Sequence, residues 1–112
     1  TETAQALLAA GADKDAKDND GKTALMYASK NGNTEIAQEL LTKGADKEAK
    51  DNDGNTALML ASRHGHTETA QALLAAGADK EAKNKYGNTA LILAQKWDHP
   101  ETAQALLTAV ST

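Results

Sequence analysis

The amino-acid sequence predicts an all-α solenoid with short β-hairpins, in which similar helix pairs are stacked along one axis. Residues 18–50 and 51–83 are identical at 24 of 33 aligned positions. Two tripeptides recur at the same 33-residue step, Gly-Ala-Asp at Gly11, Gly44 and Gly77, and Thr-Ala-Leu at Thr23, Thr56 and Thr89. A period of this length is typical of units that bury their apolar faces only against neighbouring units.

Composition and charge restrict both the core and the classes of function. The 112 residues include 24 Ala and 13 Leu but no Phe, which predicts a thin core built by close approach of helices. A net charge of −4 argues against a nucleic-acid binder, and the longest apolar runs are too short to span a membrane. The absence of Cys excludes disulfides and thiolate chemistry and fits a cytoplasmic location.

The first helix of each unit is predicted over residues such as 23–31. Ala24, Leu25 and Ala28 have a helical apolar spacing, and Gly32 stands where a left-handed residue would end the helix. Each unit therefore begins with one short helix.

The second helix is predicted from Thr34 to Gly44. Thr34 offers a hydroxyl N-cap, and Ala37, Leu40 and Leu41 form the apolar stripe. The polar stretch 45–55 that follows predicts a two-stranded hairpin with Asp53-Gly54 at its tip.

Stacking is needed because helices of about 8 to 10 residues are unstable alone. We expect equivalent leucines of successive units to form one continuous core: Leu25, Leu40 and Leu41, then Leu58, Leu73 and Leu74, then Leu91, Leu106 and Leu107. Tyr27 replaces Leu60 and Leu93 in this period, so the pattern predicts a core position for Tyr27 as well.

The period divides the single domain 1–112 into a partial repeat 1–17, repeats 18–50 and 51–83, and a C-terminal capping repeat 84–112. In the capping repeat Asp98 replaces the helix-ending glycine and Pro100 can occupy the first turn of the last helix. The partial repeat, with Leu7 and Leu8 on its helix, is expected to expose apolar surface. We therefore expect the chain to be an excerpt of a longer array, or to self-associate through this uncapped end.

These residues resemble the ankyrin repeat family. The matching features are Asp-x-x-Gly-x-Thr at residues 18–23 and 51–56, then Ala-Leu-x-x-Ala, and Leu-Leu-x-x-Gly-Ala-Asp, and they cover essentially the whole chain. The resemblance implies L-shaped units whose concave face usually binds another protein. The chain departs from the family at Thr-Ala-Leu-Met, which stands where the family has Thr-Pro-Leu-His.

The resemblance also implies a partner-binding surface, made up of positions that vary between otherwise similar units and of residues at the hairpin tips. The candidates are Asn19, Asp20, Lys22, Lys30, Asn31, Asn52, Asp53, Asn55, Arg63, His64, Lys85, Tyr86, Asn88, Lys96 and Trp97. The charged members could equally form an ordinary solvated face. Tyr86 and Trp97 are stronger candidates, since aromatic residues often anchor interfaces, although Trp97 could instead pack within the cap.

Catalytic and metal chemistry find little support in the sequence. Residues 18–21 resemble part of a calcium loop, but Ala16 and Tyr27 fall where two main ligands belong, so a turn is favoured. His64 and His66 have no third metal ligand at a fitting spacing. We expect no enzyme, no metal and no cofactor.

Two functions therefore remain. The first is a protein-protein interaction module with a rigid concave surface and another protein as its partner. The second is an architectural or engineered repeat scaffold without a dedicated ligand, which the near identity of the repeats would also suit.

Overall fold

Six helices make up the part of the chain that the structure, a computed structural model, describes, which is residues 17–108. They are α1 (Ala24–Asn31), α2 (Thr34–Thr42), α3 (Ala57–Arg63), α4 (Thr67–Ala75), α5 (Ala90–Lys96) and α6 (Pro100–Thr108). The predicted helix around Leu7 and Leu8, and the self-association through it, lie outside these residues. So do the last residues of the predicted capping repeat, 109–112.

The helices form two layers of a stack. In one layer α3 packs between α1 and α5, and in the other α4 packs between α2 and α6, while each odd-numbered helix also packs on the even-numbered helix that follows it. The predicted all-α stack of helix pairs is confirmed. The stacking of similar units explains how short helices become stable, since each helix pair covers the apolar stripe of its neighbour.

A threonine begins each first helix. In each case the threonine hydroxyl oxygen accepts a 3.3 Å hydrogen bond from the backbone N–H of the residue three positions later. The pairs are Thr23 with Met26, Thr56 with Met59, and Thr89 with Ile92. This satisfies donors that a helix N-terminus would otherwise leave unpaired. The Thr-Ala-Leu tripeptide is therefore a helix start.

The ends of the first helices depend on a left-handed residue. Gly32 has φ +73°, and the N–H of Asn33 bonds to the carbonyl of Ala28 at 2.8 Å, as predicted for a glycine-terminated helix. In the last unit Asp98 takes this conformation with φ +61°. Pro100 opens α6, as predicted for the cap.

The predicted hydroxyl cap at Thr34 is wrong. Thr34 is already helical, Asn33 precedes it, and the Thr34 hydroxyl instead shares a 2.8 Å hydrogen bond with the hydroxyl of Thr69 in the next unit. Thr67 and Thr102 form the same bond one unit further on, also at 2.8 Å. These hydroxyls join successive second helices and do not cap them.

The predicted two-stranded hairpin is not found in residues 17–108, which contain no β-strand. Each loop instead turns on one Asp or Asn whose Oδ1 accepts two backbone N–H groups, as Asp51 does from Asp53 and Asn55 at 2.9 Å each. Successive turns are linked edge to edge, because the Asn52 N–H bonds to the carbonyl of Asp20 at 3.0 Å. One backbone hydrogen bond between successive turns takes the place of the regular ladder of hydrogen bonds that a two-stranded hairpin would need.

The core follows the predicted leucine pattern, with corrections at the edges. Leu25, Leu40, Leu58, Leu73 and Leu106 are all buried, and Leu41, Leu74 and Leu91 are partly buried against them. Leu107 was placed in the core wrongly, because it lies on the outer side of α6 and is 59% exposed. The core position of Tyr27 was also wrong, since its hydroxyl leaves the core to bond Asp18.

Candidate protein-interaction site

A cleft of about 520 Å³ lies between two turns and the ends of two first helices. The turns are 51–55 and 84–88, and the helices are α3 and α5. Its lining residues are Asp53, Asn55, Arg63, Asn84, Tyr86, Asn88, Leu93, Lys96 and Trp97, which we call the Trp97 cleft. Seven of the sequence-predicted site residues are thereby brought together.

Arg63 and Trp97 form one wall of the Trp97 cleft. The Arg63 guanidinium carbon lies 4.9 Å from the centre of the Trp97 ring, a cation–π geometry. Trp97 stands directly after α5 and remains 48% exposed. The indole therefore packs against the neighbouring unit and still offers a free face to the cleft.

The turn side of the cleft presents Tyr86, which is 67% exposed. The neighbouring Lys85 lies with its Nζ 5.4 Å from the Tyr86 ring centre and 3.3 Å from Asp53 Oδ1. The hydrogen bond to Asp53 raises the pKa of Lys85, with smaller contributions from the charges of Tyr86 and Asp53. The ion pair thus links adjacent turns and cancels the negative charge of Asp53.

The side chains of three predicted site residues contact a neighbouring turn of the protein. Asn55 is 7% exposed, and its amide oxygen accepts a 2.9 Å hydrogen bond from Asn84. Lys22 is half-buried, with its Nζ 3.5 Å from the buried Oδ2 of Asp51. The side-chain amide of Asn52 donates to the carbonyl of Asn19 at 3.1 Å. These contacts couple one turn to the next.

The other predicted residues lie beside the cleft. Lys30, Asn31 and His64 are exposed near the ends of α1 and α3. Burial lowers the pKa of His64, and the positive charge of Arg63 lowers it further, followed by smaller contributions from His66, Lys30 and His99. Exposed Asn19 and Asp20 occupy the first turn, away from the cleft lining.

Two lining residues, Asn84 and Leu93, were missed by sequence reasoning. Asn84 stands at the period position of Asp18 and Asp51, and its Oδ1 makes the same two backbone contacts, to Tyr86 and Asn88. The change from Asp to Asn at a repeated position was the available signal. Leu93 is buried at the base of the cleft and was assigned only to the core.

His66 and His99 stand at equivalent positions of successive units, and each contacts the unit before it. The Nε2 atoms of His66 and His99 lie 2.9 Å from the carbonyl oxygens of Lys30 and Arg63. His64 stacks beside His66 with ring centres 6.3 Å apart. No group of three or more potential His or carboxylate metal ligands converges between residues 17 and 108.

A stack of helix pairs joined by bonded turns, with a cleft along the turns, defines a helical repeat protein. A family model of ankyrin repeats in three copies matches residues 1–84 and again 52–111, and the chain belongs to the ankyrin repeat family. Ankyrin repeats are generally protein-protein interaction modules and are typically not enzymes. No curated protein matches the chain. Within the part of the chain described, no helix has the length and apolar character needed to cross a lipid bilayer.

Proposed function

We propose that the protein is an interaction module that binds a segment of another protein in the Trp97 cleft. The observation that supports this most is the combination of two exposed aromatic rings, Trp97 and Tyr86, with an arginine in one cleft. Tyr, Trp and Arg are the residue types enriched at the energetic centres of interfaces.

The cleft is built from constrained parts, which favours binding. Its turns are fixed by side-chain caps from Asp51 and Asn84 and by the backbone bond from the N–H of Lys85 to the carbonyl of Asp53, at 3.1 Å. A surface that is ordered before association loses little conformational entropy on binding. The cleft side chains are aromatic, aliphatic, amide, cationic or already ion-paired, a set suited to recognition and not to catalysis. A cytoplasmic location is part of the proposal, because a chain without Cys suits a reducing compartment.

Affinity capture with matched variants tests this function. Wild-type protein and the Trp97→Ala and Leu107→Ala variants are immobilised and exposed to increasing lysate concentrations. Both substitutions remove one exposed apolar side chain, but only Trp97 lines the cleft. We expect saturable retention of a protein by the wild type and by Leu107→Ala, with loss of that protein from Trp97→Ala.

The alternative, a spacer or engineered scaffold without a ligand, predicts a different result. In that case no protein is retained saturably, or the same proteins are retained equally by all three forms. Circular dichroism of each form establishes that the comparison concerns folded protein.

A further inference from the structure

Charge is divided between the two helix layers. The first helices α1, α3 and α5 carry Lys30, Arg63 and Lys96 in their last turns and contain no Asp or Glu. The second helices α2, α4 and α6 contain no Lys or Arg, and their acidic residues are Glu35, Glu39, Glu68 and Glu101. A chain with net charge −4 thus has a row of cations beside its cleft.

Arg63 and Lys96 are the two cations that line the Trp97 cleft. Between residues 17 and 108, no carboxylate pairs with Arg63 or Lys96. The one carboxylate among the cleft residues, Asp53, pairs with Lys85 at 3.3 Å. The cleft therefore keeps a net positive charge from Arg63 and Lys96.

Other carboxylates lie near the row but do not line the cleft, and one of them, Asp98, is exposed directly after Trp97. Asp51 is buried against Lys22, and Asp18 accepts a hydrogen bond from Tyr27. Neither carboxylate lines the cleft. The charged groups that act on the pKa of His64 are all cationic or histidine side chains. Asp20 is exposed, but it lies in the first turn and does not line the cleft.

The Arg63–Trp97 contact places the guanidinium beside the indole in the wall of the cleft. The fork of N–H donors on a guanidinium matches the two oxygens of a carboxylate. The indole beside it offers apolar area to a neighbouring side chain.

We propose that the Trp97 cleft binds an acidic peptide segment, with carboxylates on Arg63 and Lys96 and an apolar side chain between Trp97 and Tyr86. This rests on the proposed function and adds the chemical class of the partner. The same basic residues lie in the last turns of their helices, where they also offset the helix dipole. The helix-dipole role requires no acidic ligand. A preference of the cleft for acidic peptides therefore distinguishes the proposed binding role from this structural role.

The repeat spacing adds a prediction about the segment. Packed helices lie about 8 to 10 Å apart, and α3 and α5 are direct neighbours. Three residues of an extended polyproline II segment advance about 9.3 Å and return to the same side. We therefore expect acidic residues at every third position of the bound segment.

Selection from a displayed library of random short peptides tests the proposal. The full chain is the target, and parallel selections use the Arg63→Gln/Lys96→Gln double variant and its control, Glu68→Gln/Glu101→Gln. The control also neutralises two exposed charges at helix ends, but on the other layer. We expect wild type and control to enrich peptides that combine Asp or Glu with apolar residues, and the cleft variant to lose this enrichment.

Synthetic peptides from the selection then give the magnitude. Neutralising Arg63 and Lys96 is expected to weaken binding about tenfold, which corresponds to about 1.4 kcal/mol. The Glu68→Gln/Glu101→Gln control is expected to bind within about twofold of the wild type, since exposed charges outside the contact contribute little.

Several results would overturn the proposal. Enriched peptides without an acidic excess, still dependent on Trp97, would refute the acidic partner while leaving the protein-binding function intact. Tighter binding of a short single-stranded oligo-dT probe than of any selected peptide would instead point to nucleic acid. No enrichment over Trp97→Ala would reject both the acidic segment and the proposed function.

Discussion

Removing the buried side chain of Leu73 tests the stacked core. Leu73 is 0% exposed, and it lies on α4, which packs against both α2 and α6. Truncation of a fully buried leucine to alanine costs about 2 to 5 kcal/mol, because apolar contact is lost and a cavity remains. Domains of this size have only about 5 to 15 kcal/mol of stability, so Leu73→Ala should remove a large fraction of it.

Urea unfolding followed by circular dichroism measures this loss. With a denaturant dependence of about 2 kcal/mol/M, a loss of 3 kcal/mol lowers the midpoint by about 1.5 M. The control Leu107→Ala removes the same atoms from a side chain that is 59% exposed, and should cost less than about 1 kcal/mol. Fluorescence of Trp97, the single tryptophan, reports on the end of α5 and should give the same midpoint if the stack unfolds as one unit.

A loss below about 0.5 kcal/mol for Leu73→Ala would refute the reasoning, because that is the size of an ordinary surface change. Equal losses for Leu73→Ala and Leu107→Ala would contradict the assigned burial. Separate midpoints for the two signals would contradict cooperative coupling between the helix pairs.

Two further predictions concern the ties between units and the charge beside the cleft. Gly65→Ala should cost about 2 to 3 kcal/mol in urea unfolding, because φ is +73° and a new Cβ would lie 2.6 Å from His99 Nδ1. Gly87→Ala, with φ +79° but open space around it, should cost only about 1 kcal/mol, and equal costs would contradict the contact. By NMR titration the pKa of His64 should lie below the ordinary 6.5, since burial and then Arg63 disfavour its charged form, and Arg63→Gln should raise it. Because the pKa of His64 in the folded protein lies below the ordinary value, the contribution of His64 to stability is complete above about pH 6.5. This contribution is lost as the pH falls through the lowered pKa. An ordinary or raised pKa would contradict the cationic surroundings.

The helix stack was predictable because its signals are local and repeated. Glycines at a fixed offset end the first helices, and leucines at helical spacing form the buried stripe. Asp98 shows the limit of this approach, since it was identified only as a missing glycine yet adopts the same left-handed conformation at φ +61°.

The contacts between units were harder to predict. Thr34 has the chemistry of an N-cap, but its hydroxyl meets Thr69, a residue 35 positions away. His66 was considered only as a weak metal ligand, although its ring reaches the carbonyl of Lys30 in the preceding unit. These hydrogen-bond partners depend on which surfaces face each other across the stack. The local sequence of one repeat does not indicate which atoms of the next repeat its side chains meet.

The candidate site was predictable in outline but not in detail. Variable positions indicated Arg63, Tyr86 and Trp97, and the structure brings them into one cleft. The same criterion selected Asn55, whose amide is buried against Asn84. Variation between repeats reflects both recognition and differences in turn-to-turn bonding, and only coordinates separate the two.

The indole N–H resonance of Trp97 tests the binding cleft most directly, because the chain contains one tryptophan and therefore gives one such NMR signal. Titration of ¹⁵N-labelled protein with a captured protein or a selected peptide should shift this signal saturably, together with amides of turns 51–55 and 84–88. Saturable binding that leaves the indole signal in place and shifts only amides of α2, α4 and α6 would contradict the cleft as the recognition surface.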